Sequence, residues 1–395
     1  MRISPPSTVE SNRAAERGRP RRSGTVLSRL ATLTALTATL TAAGSLVPAA
    51  AQAAGPYGAA YVWMDAPDAG MCIVPADHQW NSTDEWNPVN EICSEDVGLY
   101  SVDLPNLGVK AGTVQVTAYG SDAAYCKVQS WAPSGTAQRV MVRCLDAGGA
   151  SVDSQFTLSY ANLSGTRTAA LGYAFANQPT ATAPYNSPAN YQYNSSGATN
   201  TITKVSGSTG VYTVNLPGLA GTGGNPVVTA YGTGSEWCTA WNWAPAGADL
   251  HIQVRCFSTT GAPANSRFTL SYAKNGNILG TSLCCGPDGH PTNYLFANDP
   301  TASSYVPAAA YRFASGGGTY TGKITRISTG RYDVNYGWAA AQGVVHVTPV
   351  GGGTARCKLE SWTTDERVTV ACTGPSGSPV DATFLLHHVG PFVIG

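Results

Sequence analysis

The sequence predicts an all-β protein made of three tandem antiparallel β modules, each a β-sandwich or a small β-barrel. One unit recurs along the chain, so that equivalent cysteines lie 112 residues apart in the first two copies and 116 to 119 apart in the last two. Within each copy, short stretches rich in Val, Thr and aromatic residues alternate apolar with polar positions. A period of two buries one face of a strand. No stretch outside the N-terminal leader keeps a helical period, so the fold class is all-β.

The first 53 residues have the pattern of a secretory signal. A basic region that includes Arg21 and Arg22 precedes an apolar, threonine-rich run from Leu30 to Val47, and small residues offer a cleavage site after Ala53. Threonines interrupt the run, and no positive stop-transfer patch follows it. We therefore expect a secreted, extracellular protein that has no transmembrane segment once the signal is removed.

The charge balance excludes some partners. The leader holds 7 of the 23 basic and 2 of the 23 acidic residues, which leaves 16 basic and 21 acidic residues after its removal. A mildly acidic chain without a basic patch argues against nucleic acid as a partner. The 44 glycines and 19 tyrosines suit an exported β protein with many tight turns.

Recurring blocks set the module boundaries. Tyr-Val-Trp at Tyr61 opens copy one, and the similar Tyr-Ala-Phe at Tyr173 and Tyr-Leu-Phe at Tyr294 open the other two copies. Each copy has room for about eight short strands. The predicted organisation is a secretory segment at 1–53, module 1 at 57–163, module 2 at 168–276, a linker insertion at 277–293 and module 3 at 294–395. A six-bladed propeller made from half-repeats is the alternative, which the poor similarity between the two halves of a copy disfavours.

Cysteine spacing predicts a cross-strand disulfide in each module. The two cysteines of each pair lie on consecutive strands and alternate with apolar residues. The predicted bridges are Cys126–Cys144, Cys238–Cys256 and Cys357–Cys372. An exported protein can form such bridges, and closing a loop of this length typically contributes about 3 kcal/mol. A zinc site is the alternative, but the sequence lacks the paired Cys-x-x-Cys or nearby histidines that it needs.

Four cysteines fall outside this repeat. Cys72 and Cys93 occur only in copy one, and we expect them to bridge each other. Cys284 and Cys285 lie in the insertion between copies two and three. A bridge between adjacent cysteines requires a strained turn, but we favour it over an intermolecular or redox-labile role.

Five motifs recur across the copies. In copy one they are Tyr-x-Val at Tyr100, Val-Thr-Ala-Tyr-Gly at Val116, Cys-x-Val-x-Ser-Trp at Cys126, Val-x-Val-x-Cys at Val140 and Phe-Thr-Leu-Ser-Tyr at Phe156. This pattern resembles β-rich repeats of exported bacterial proteins, notably from actinobacteria, most of which have no assigned activity. The resemblance covers all three copies, although the third departs at its last strand. It implies export and modularity, and it transfers no functional residues.

A recurring tryptophan is the first candidate for ligand binding. Trp131, Trp243 and Trp362 each follow the first bridge cysteine by five residues, and unbroken alternation would place them on the face opposite the cysteines. Copy two adds Trp237 and Trp241 on the same predicted face. Because a row of indoles can stack on sugar rings, these five residues are the predicted carbohydrate-binding residues. Packing is the alternative for the recurring tryptophan, and contact between modules is the alternative for the other two.

The acidic stretch from 54 to 109 is the second candidate, since it contains nine acidic residues and no lysine or arginine. The residues proposed for a structural calcium ion, which takes six to eight oxygen ligands, are Asp77, Asp84, Glu85 and Glu91. Trp80 and Trp86 flank the central pair of acids and suggest instead a glycosidase acid and base beside a sugar subsite. A solvated acidic surface is the default, because no ordered Asp-x-Asp-x-Asp-Gly loop occurs.

Histidines on predicted strands of copy three are the third candidate. His346 lies on one strand, and His387 and His388 replace the Ser-Tyr of the other copies on another. Adjacent residues of a strand point to opposite faces, so one metal ion cannot readily take both. We expect ordinary surface or core histidines.

The sequence favours a secreted, non-enzymatic binding or adhesion protein, because no catalytic motif recurs with the repeat. Carbohydrate, as polysaccharide or cell-surface glycan, is the favoured ligand class, and tandem copies would add avidity. No cofactor beyond structural calcium is expected. The alternatives are a structural extracellular protein without a small ligand, a secreted glycosidase, and an inhibitor of a secreted hydrolase that presents the Cys284-Cys285 insertion.

Overall fold

Strands make up nearly all regular structure in the computed structural model, which describes residues 57–67, 70–84, 87–165, 167–279, 291–315, 322–335, 343–363 and 367–390. Within these residues each repeat contributes nine strands, one more than the sequence suggests, because several strands are only two residues long. Module 1 contains β1 (Gly58–Met64), β2 (Cys72–Ile73), β3 (Trp80–Asn81), β4 (Glu91–Asp96), β5 (Leu99–Leu104), β6 (Thr113–Tyr119), β7 (Tyr125–Ser134), β8 (Ala137–Leu145) and β9 (Gln155–Asn162).

The other two modules repeat this order, and each adds a 3-10 turn, at Ala189–Tyr191 and at Ala309–Tyr311. Module 2 contains β10 (Ala170–Ala176), β11 (Tyr185–Asn186), β12 (Gln192–Asn194), β13 (Thr201–Lys204), β14 (Val211–Leu216), β15 (Asn225–Tyr231), β16 (Trp237–Ala246), β17 (Asp249–Phe257) and β18 (Arg267–Lys274). Module 3 contains β19 (Thr292–Ala297), β20 (Ser304–Tyr305), β21 (Arg312–Ala314), β22 (Lys323–Ser328), β23 (Arg331–Asn335), β24 (Val344–Val350), β25 (Arg356–Thr363), β26 (Arg367–Thr373) and β27 (Thr383–Val389).

Each module is a sandwich of a four-stranded and a five-stranded antiparallel sheet. In module 1 the strand orders are β3-β1-β9-β6 and β2-β4-β5-β8-β7, and the other modules repeat both orders. Alternate residues face inward and form one core per module, in which Val62, Tyr100 and Phe156 of module 1 are fully buried. The predicted fold class, three antiparallel β-sandwich modules, is confirmed.

The sheets continue from one module into the next and close the three modules into a ring. The edge strand of each five-stranded sheet pairs in parallel with the four-stranded sheet of a neighbouring module: β7 with β15, β16 with β24 and β25 with β6. Equivalent hydrogen bonds support the three pairs, as in the 2.9 Å bond from the Gly232 N–H to the Val128 carbonyl. The result is three nine-stranded sheets, so the sequence repeat becomes a pseudo-three-fold arrangement.

Three buried threonines join the modules where their four-stranded sheets meet. Thr117, Thr229 and Thr348 occupy the same position in β6, β15 and β24. Each hydroxyl accepts a backbone N–H of another module, in the cyclic order Val116 to Thr229 at 3.1 Å, Val228 to Thr348 at 3.3 Å and Val347 to Thr117 at 3.2 Å. A buried N–H without a partner is costly, so these hydroxyls help to fix how the modules pack.

Disulfides close every module as the cysteine spacing predicts. The three equivalent bridges join directly opposite residues of a hairpin, with Cα atoms 4.0 Å apart: Cys126–Cys144, Cys238–Cys256 and Cys357–Cys372. The predicted Cys72–Cys93 bridge is also present and links β2 to β4. The predicted bridge between Cys284 and Cys285 lies outside the described residues.

Candidate functional site

At each junction between two modules, the recurring tryptophan and three other side chains form a cluster. The junctions are named 1/2, 2/3 and 3/1 after the modules that meet there. Junction 1/2 holds Trp131, Phe175, Tyr191 and Tyr231; junction 2/3 holds Trp243, Phe296, Tyr311 and Val350; junction 3/1 holds Trp362, Trp63, His78 and Tyr119. The ring centroids around Trp362 lie 4.7 to 5.9 Å from it. Equivalent positions thus build three different surfaces on one framework.

A β-bulge places these tryptophans on the inner face of the sheet. One extra residue interrupts the first strand of each disulfide-linked hairpin, at Val128/Ser130, Ala240/Asn242 and Leu359/Ser361. A bulge shifts the alternation by one residue, so Trp131 lies opposite Val140 and shares the face of Cys126. The prediction that the recurring tryptophans face away from the cysteines is wrong, because it assumed unbroken alternation.

Two of the recurring tryptophans are tied to their own module. The Trp131 indole N–H donates to the Ala111 carbonyl at 3.3 Å, and the residue is 6% exposed. The Trp243 indole N–H donates to the Gly223 carbonyl at 2.8 Å. Trp362 is partly exposed. Packing at the junction is therefore the main role of Trp131, as its alternative interpretation proposed.

The two tryptophans found only in copy two do not extend a row of indoles. Trp237 is 5% exposed and stacks on Phe257 with ring centroids 4.8 Å apart. Trp241 is partly exposed, and the Arg255 guanidinium lies 3.5 Å from its ring centre. Since Trp237, Trp241 and Trp243 lie in three different environments, β16 does not present a continuous sugar platform.

A polar groove lies beside the aromatic cluster at junction 3/1. It has a volume of about 450 Å³, and the side chains that line it include Asp65, Tyr119, Asp122, Asp153 and Gln155. The loops that follow β1 and β6 and the loop that precedes β9 form its walls. Tyr119 belongs to both features, because its ring also contacts Trp63 at a centroid distance of 5.2 Å. The groove therefore ends on an aromatic surface.

Hydrogen bonds hold the carboxylates of this groove in place. Asp153 accepts the Gly98 N–H at 2.8 Å and the Tyr100 hydroxyl at 3.1 Å. Asp122, whose side chain is 56% exposed, forms an ion pair with Lys358 of module 3. A carboxylate has about four acceptor sites, so both groups keep oxygen lone pairs for hydroxyl or ammonium groups of a ligand.

His78 introduces backbone strain at the same junction. Its φ of 56° lies in the left-handed region that non-glycine residues rarely adopt. Its Nδ1 atom and the indole nitrogen of Trp63 are buried and have no hydrogen-bond partner among the described residues. Burial lowers the pKa of His78, although a hydrogen bond with the Gly343 backbone opposes this shift. Such strain and unpaired polar atoms cluster at ligand sites.

Among the described residues, neither of the other modules combines a tyrosine at the position of Tyr119 with carboxylates at the positions of Asp122 and Asp153. In module 2, Tyr231 takes the place of Tyr119, but the Arg267 guanidinium lies 4.9 Å from its ring centre. Asn265 of module 2 takes the place of Asp153. In module 3 the tyrosine position is a valine, and a groove of about 520 Å³ is lined largely by glycine, proline and alanine.

The described residues proposed for calcium do not converge. Asp77, Asp84 and Glu91 are exposed. Asp84 accepts the N–H of Asn87 at 3.1 Å and so stabilises its own loop. The remaining proposed ligand, Glu85, lies outside the described residues, as does the neighbouring Trp86.

Neither metal binding nor a sugar subsite gains support in this part of module 1. Across the described ranges, one group of three carboxylate, thiol or imidazole side chains lies close enough to hold an ion, and it consists of Cys72, Glu91 and Cys93. Its two cysteines are bridged to each other. Trp80 is 3% exposed and stacks on Tyr61 with centroids 6.2 Å apart. It therefore packs in the interior and cannot flank a sugar subsite.

The three histidines of copy three are buried core residues. His346 lies between Thr117 Oγ1, 3.2 Å from Nδ1, and Ser159 Oγ, 2.8 Å from Nε2. His387 is its partner across the β24–β27 pair, and His388 is 2% exposed. Burial lowers the pKa of both His346 and His387 to about 3. His346 and His387 are therefore neutral at ordinary pH.

Sequence reasoning missed the groove residues Tyr119, Asp122 and Asp153. Tyr119 lies inside the recurring Val-Thr-Ala-Tyr-Gly block, where it is easily taken for core. Asp122 and Asp153 lie in loops, at positions that module 2 fills with Gly234 and Asn265. The signal that could have found them is this divergence between copies at loop positions, since loops carry most binding residues.

Fold and site together define a ring of three disulfide-bridged β-sandwich modules with a polar groove beside an aromatic cluster. Comparison with known protein families, with curated proteins and with solved structures gave no significant match. In the described part of the chain, no helix has the length and apolar character needed to cross a membrane. The predicted secretory segment, residues 1–53, lies outside that part.

Proposed function

We propose that the protein is a secreted, non-enzymatic carbohydrate-binding protein whose binding site is the groove at junction 3/1. The observation that carries this proposal is the meeting of the partly exposed Tyr119 ring with the carboxylates Asp65, Asp122 and Asp153 around one groove. Sugar rings stack on aromatic faces while their hydroxyls donate to carboxylates. A volume of about 450 Å³ is within the range of small-ligand sites.

Secretion is supported by the leader and by the four disulfides of the described chain. Such bridges persist in oxidising compartments and are rare in the cytosol. The acidic charge of the mature chain and the carboxylates of the groove favour neutral or amino sugars over polyanionic glycans.

The proposed site is single, which changes the earlier expectation of three weak sites acting together. Arg267 covers Tyr231 in module 2, and a valine replaces the tyrosine in module 3. Of the tryptophans predicted from the sequence, Trp362 takes part by packing against Tyr119, with ring centroids 5.9 Å apart. Avidity between copies is therefore not needed for this mode of binding.

Binding of residues 54–395, in oxidised form, to a panel of neutral and amino polysaccharides tests the proposal. We expect saturable binding that changes tryptophan fluorescence, because Trp63 and Trp362 contact Tyr119. Tyr119→Ala is expected to reduce affinity at least tenfold by removing the stacking surface. Asp65→Asn is expected to reduce it less, because an amide oxygen still accepts hydroxyl groups.

Tyr231→Ala is the matched control, since it removes the equivalent tyrosine of module 2 and is expected to leave binding unchanged. Equal loss in the two variants would locate the effect in general stability and contradict the proposed site. If no glycan of the panel shows saturable binding, carbohydrate binding is rejected and a structural extracellular protein is favoured.

A further inference from the structure

A second cavity lies where the three modules meet. It has a volume of about 60 Å³ and is lined by equivalent residues of all three modules, including Cys126, Cys238 and Cys357. A site for one water needs roughly 10–15 Å³ of this kind of volume. The cavity therefore has room for a group larger than a single water molecule, and Asp122 is the one lining residue that it shares with the groove at junction 3/1.

The pseudo-symmetry of this cavity is broken at the first residue of β7, β16 and β25. Modules 1 and 2 place Tyr125 and Trp237 there, whereas module 3 places Arg356. Arg356 is 6% exposed, and its guanidinium lies 4.4 Å from the Tyr125 ring centre and 5.3 Å from that of Trp237. A cation therefore occupies the centre of the ring where two of the three copies use an aromatic residue.

No carboxylate of the described chain forms an ion pair with this buried arginine. Its terminal nitrogens donate to the carbonyls of Ala147 at 3.2 Å and Thr259 at 3.0 Å. Its Nε is buried and has no hydrogen-bond partner. An unpaired buried charge is strongly unfavourable, and an unsatisfied buried donor adds to that cost.

Two further cations line the same cavity. Lys127 is 1% exposed and donates to the Gly234 carbonyl at 2.9 Å, with Glu236 at 3.5 Å, and Lys358 is 6% exposed and paired with Asp122. An ammonium group has three donors, so both lysines can donate further bonds. The cavity is thus lined by three cations and by one carboxylate, that of Asp122.

We propose that this axial cavity binds one small oxyanion, of the size of sulfate or phosphate, through the Arg356 guanidinium. Oxyanions suit such a site because arginine donors match their oxygen atoms and the buried charge gains a counter-ion. Binding is one per chain, since only module 3 supplies the arginine. The anion stabilises the ring, because it binds the folded state at the point where all three modules meet.

Calorimetric titration and thermal unfolding of residues 54–395 with sodium sulfate test this inference, with sodium chloride at the same ionic strength as reference. We expect one-to-one binding of sulfate and a saturable rise in unfolding temperature. Arg356→Gln removes the charge and is expected to abolish both effects, whereas Arg356→Lys retains part of them. Arg331→Gln is the matched control, because Arg331 belongs to the same module but is paired with Glu360 at the surface.

Equal stabilisation by sulfate and chloride, or an unchanged sulfate effect in Arg356→Gln, would overturn the proposal. If Arg356→Gln does not fold, crystals of the unsubstituted protein soaked in selenate decide the question. An anomalous selenium peak in the cavity beside Arg356 supports the site, and its absence rejects it. Glycan binding at junction 3/1 is measured in a separate experiment, so a failure of the oxyanion proposal can be distinguished from a failure of the carbohydrate proposal.

Discussion

Junctions 1/2 and 3/1 use the same framework for different purposes. At junction 1/2, Trp131 is 6% exposed, and Arg267 covers the neighbouring Tyr231. At junction 3/1 the equivalent Trp362 is partly exposed, and Tyr119 opens into a polar groove. The strand pairing is equivalent in the two cases. Side-chain replacement alone therefore separates a closed junction from one that borders a polar groove.

The inner sides of the two junctions differ as well. At junction 1/2, the neutral side chain of Gln115 in β6 accepts the Thr229 hydroxyl at 2.8 Å, and His346 is the equivalent residue of β24. At junction 3/1, His346 bridges Thr117 and Ser159. A titratable group thus replaces a neutral contact in one of two otherwise equivalent interfaces, and acid should act on the two unequally.

Truncating the recurring tryptophan should show the largest difference between the junctions. Trp131→Ala is expected to lower the free energy of unfolding by about 3–5 kcal/mol, the usual cost of removing a large buried aromatic side chain. Trp362→Ala is expected to cost about 2 kcal/mol, because less of its surface is withdrawn from water. Urea unfolding followed by circular dichroism measures both. Equal costs would mean that junction 3/1 is as closed as junction 1/2.

Acid should weaken the protein through its buried histidines. The pKa of His346 and of His387 is about 3 in the folded chain and about 6.5 when unfolded. Below pH 6.5 the unfolded chain therefore binds more protons, and stability falls with falling pH by up to about 1.4 kcal/mol per pH unit for each histidine. Above pH 6.5 both histidines are neutral in the folded and the unfolded chain, so they cause no loss of stability there. Urea unfolding between pH 7.5 and 4.5 should show this slope.

His346→Gln tests the origin of that slope at junction 3/1. Glutamine can still bond Thr117 and Ser159 but does not titrate, so we expect the acid-induced loss of stability to fall to about half, with His387 supplying the rest. His251→Gln, on the partly exposed face of β17, is the control and should leave the slope unchanged. A slope that persists fully in His346→Gln would assign the acid sensitivity to other groups.

The fold was largely predictable because its causes are local. Alternating residues and turn positions indicate strands, and the recurrence of the Cys126–Cys144 pair in every copy indicates the hairpins. Closure into a ring was not predictable, since it depends on parallel pairs such as β7 with β15 that join residues more than 100 positions apart, as in Tyr231 with Val128. No local pattern encodes such pairing.

The candidate site was predicted poorly for a specific reason. A single bulge residue in β7, β16 and β25 reverses the face of every residue that follows it. Trp131 and Trp243 therefore lie at the junctions between modules and not on the sugar platform that the sequence predicted. The groove itself is assembled from three loops that are distant in sequence, and only folding brings Asp65 beside Asp153.

Removing Arg267, which contacts the Tyr231 ring, should have the smallest effect on the free energy of unfolding. It is also the most direct comparison of the tyrosines at junctions 1/2 and 3/1. Arg267 is exposed, and its cation–π contact with the ring at 4.9 Å is worth about 0.5–1 kcal/mol. Arg267→Ala should therefore lower the free energy of unfolding by no more than that amount in urea unfolding. It should also expose more of the Tyr231 ring, which is already partly exposed like that of Tyr119.

Accessibility alone should not create a second sugar site in Arg267→Ala. Module 2 has Asn265 and Gly234 where module 1 has Asp153 and Asp122, so the uncovered tyrosine would lack carboxylate acceptors. Glycan titrations should accordingly give one site per chain in both proteins. A second site in the variant would show that the aromatic ring suffices for binding and that the carboxylates of junction 3/1 contribute little. A loss of stability well above 1 kcal/mol would instead show that Arg267 holds junction 1/2 together.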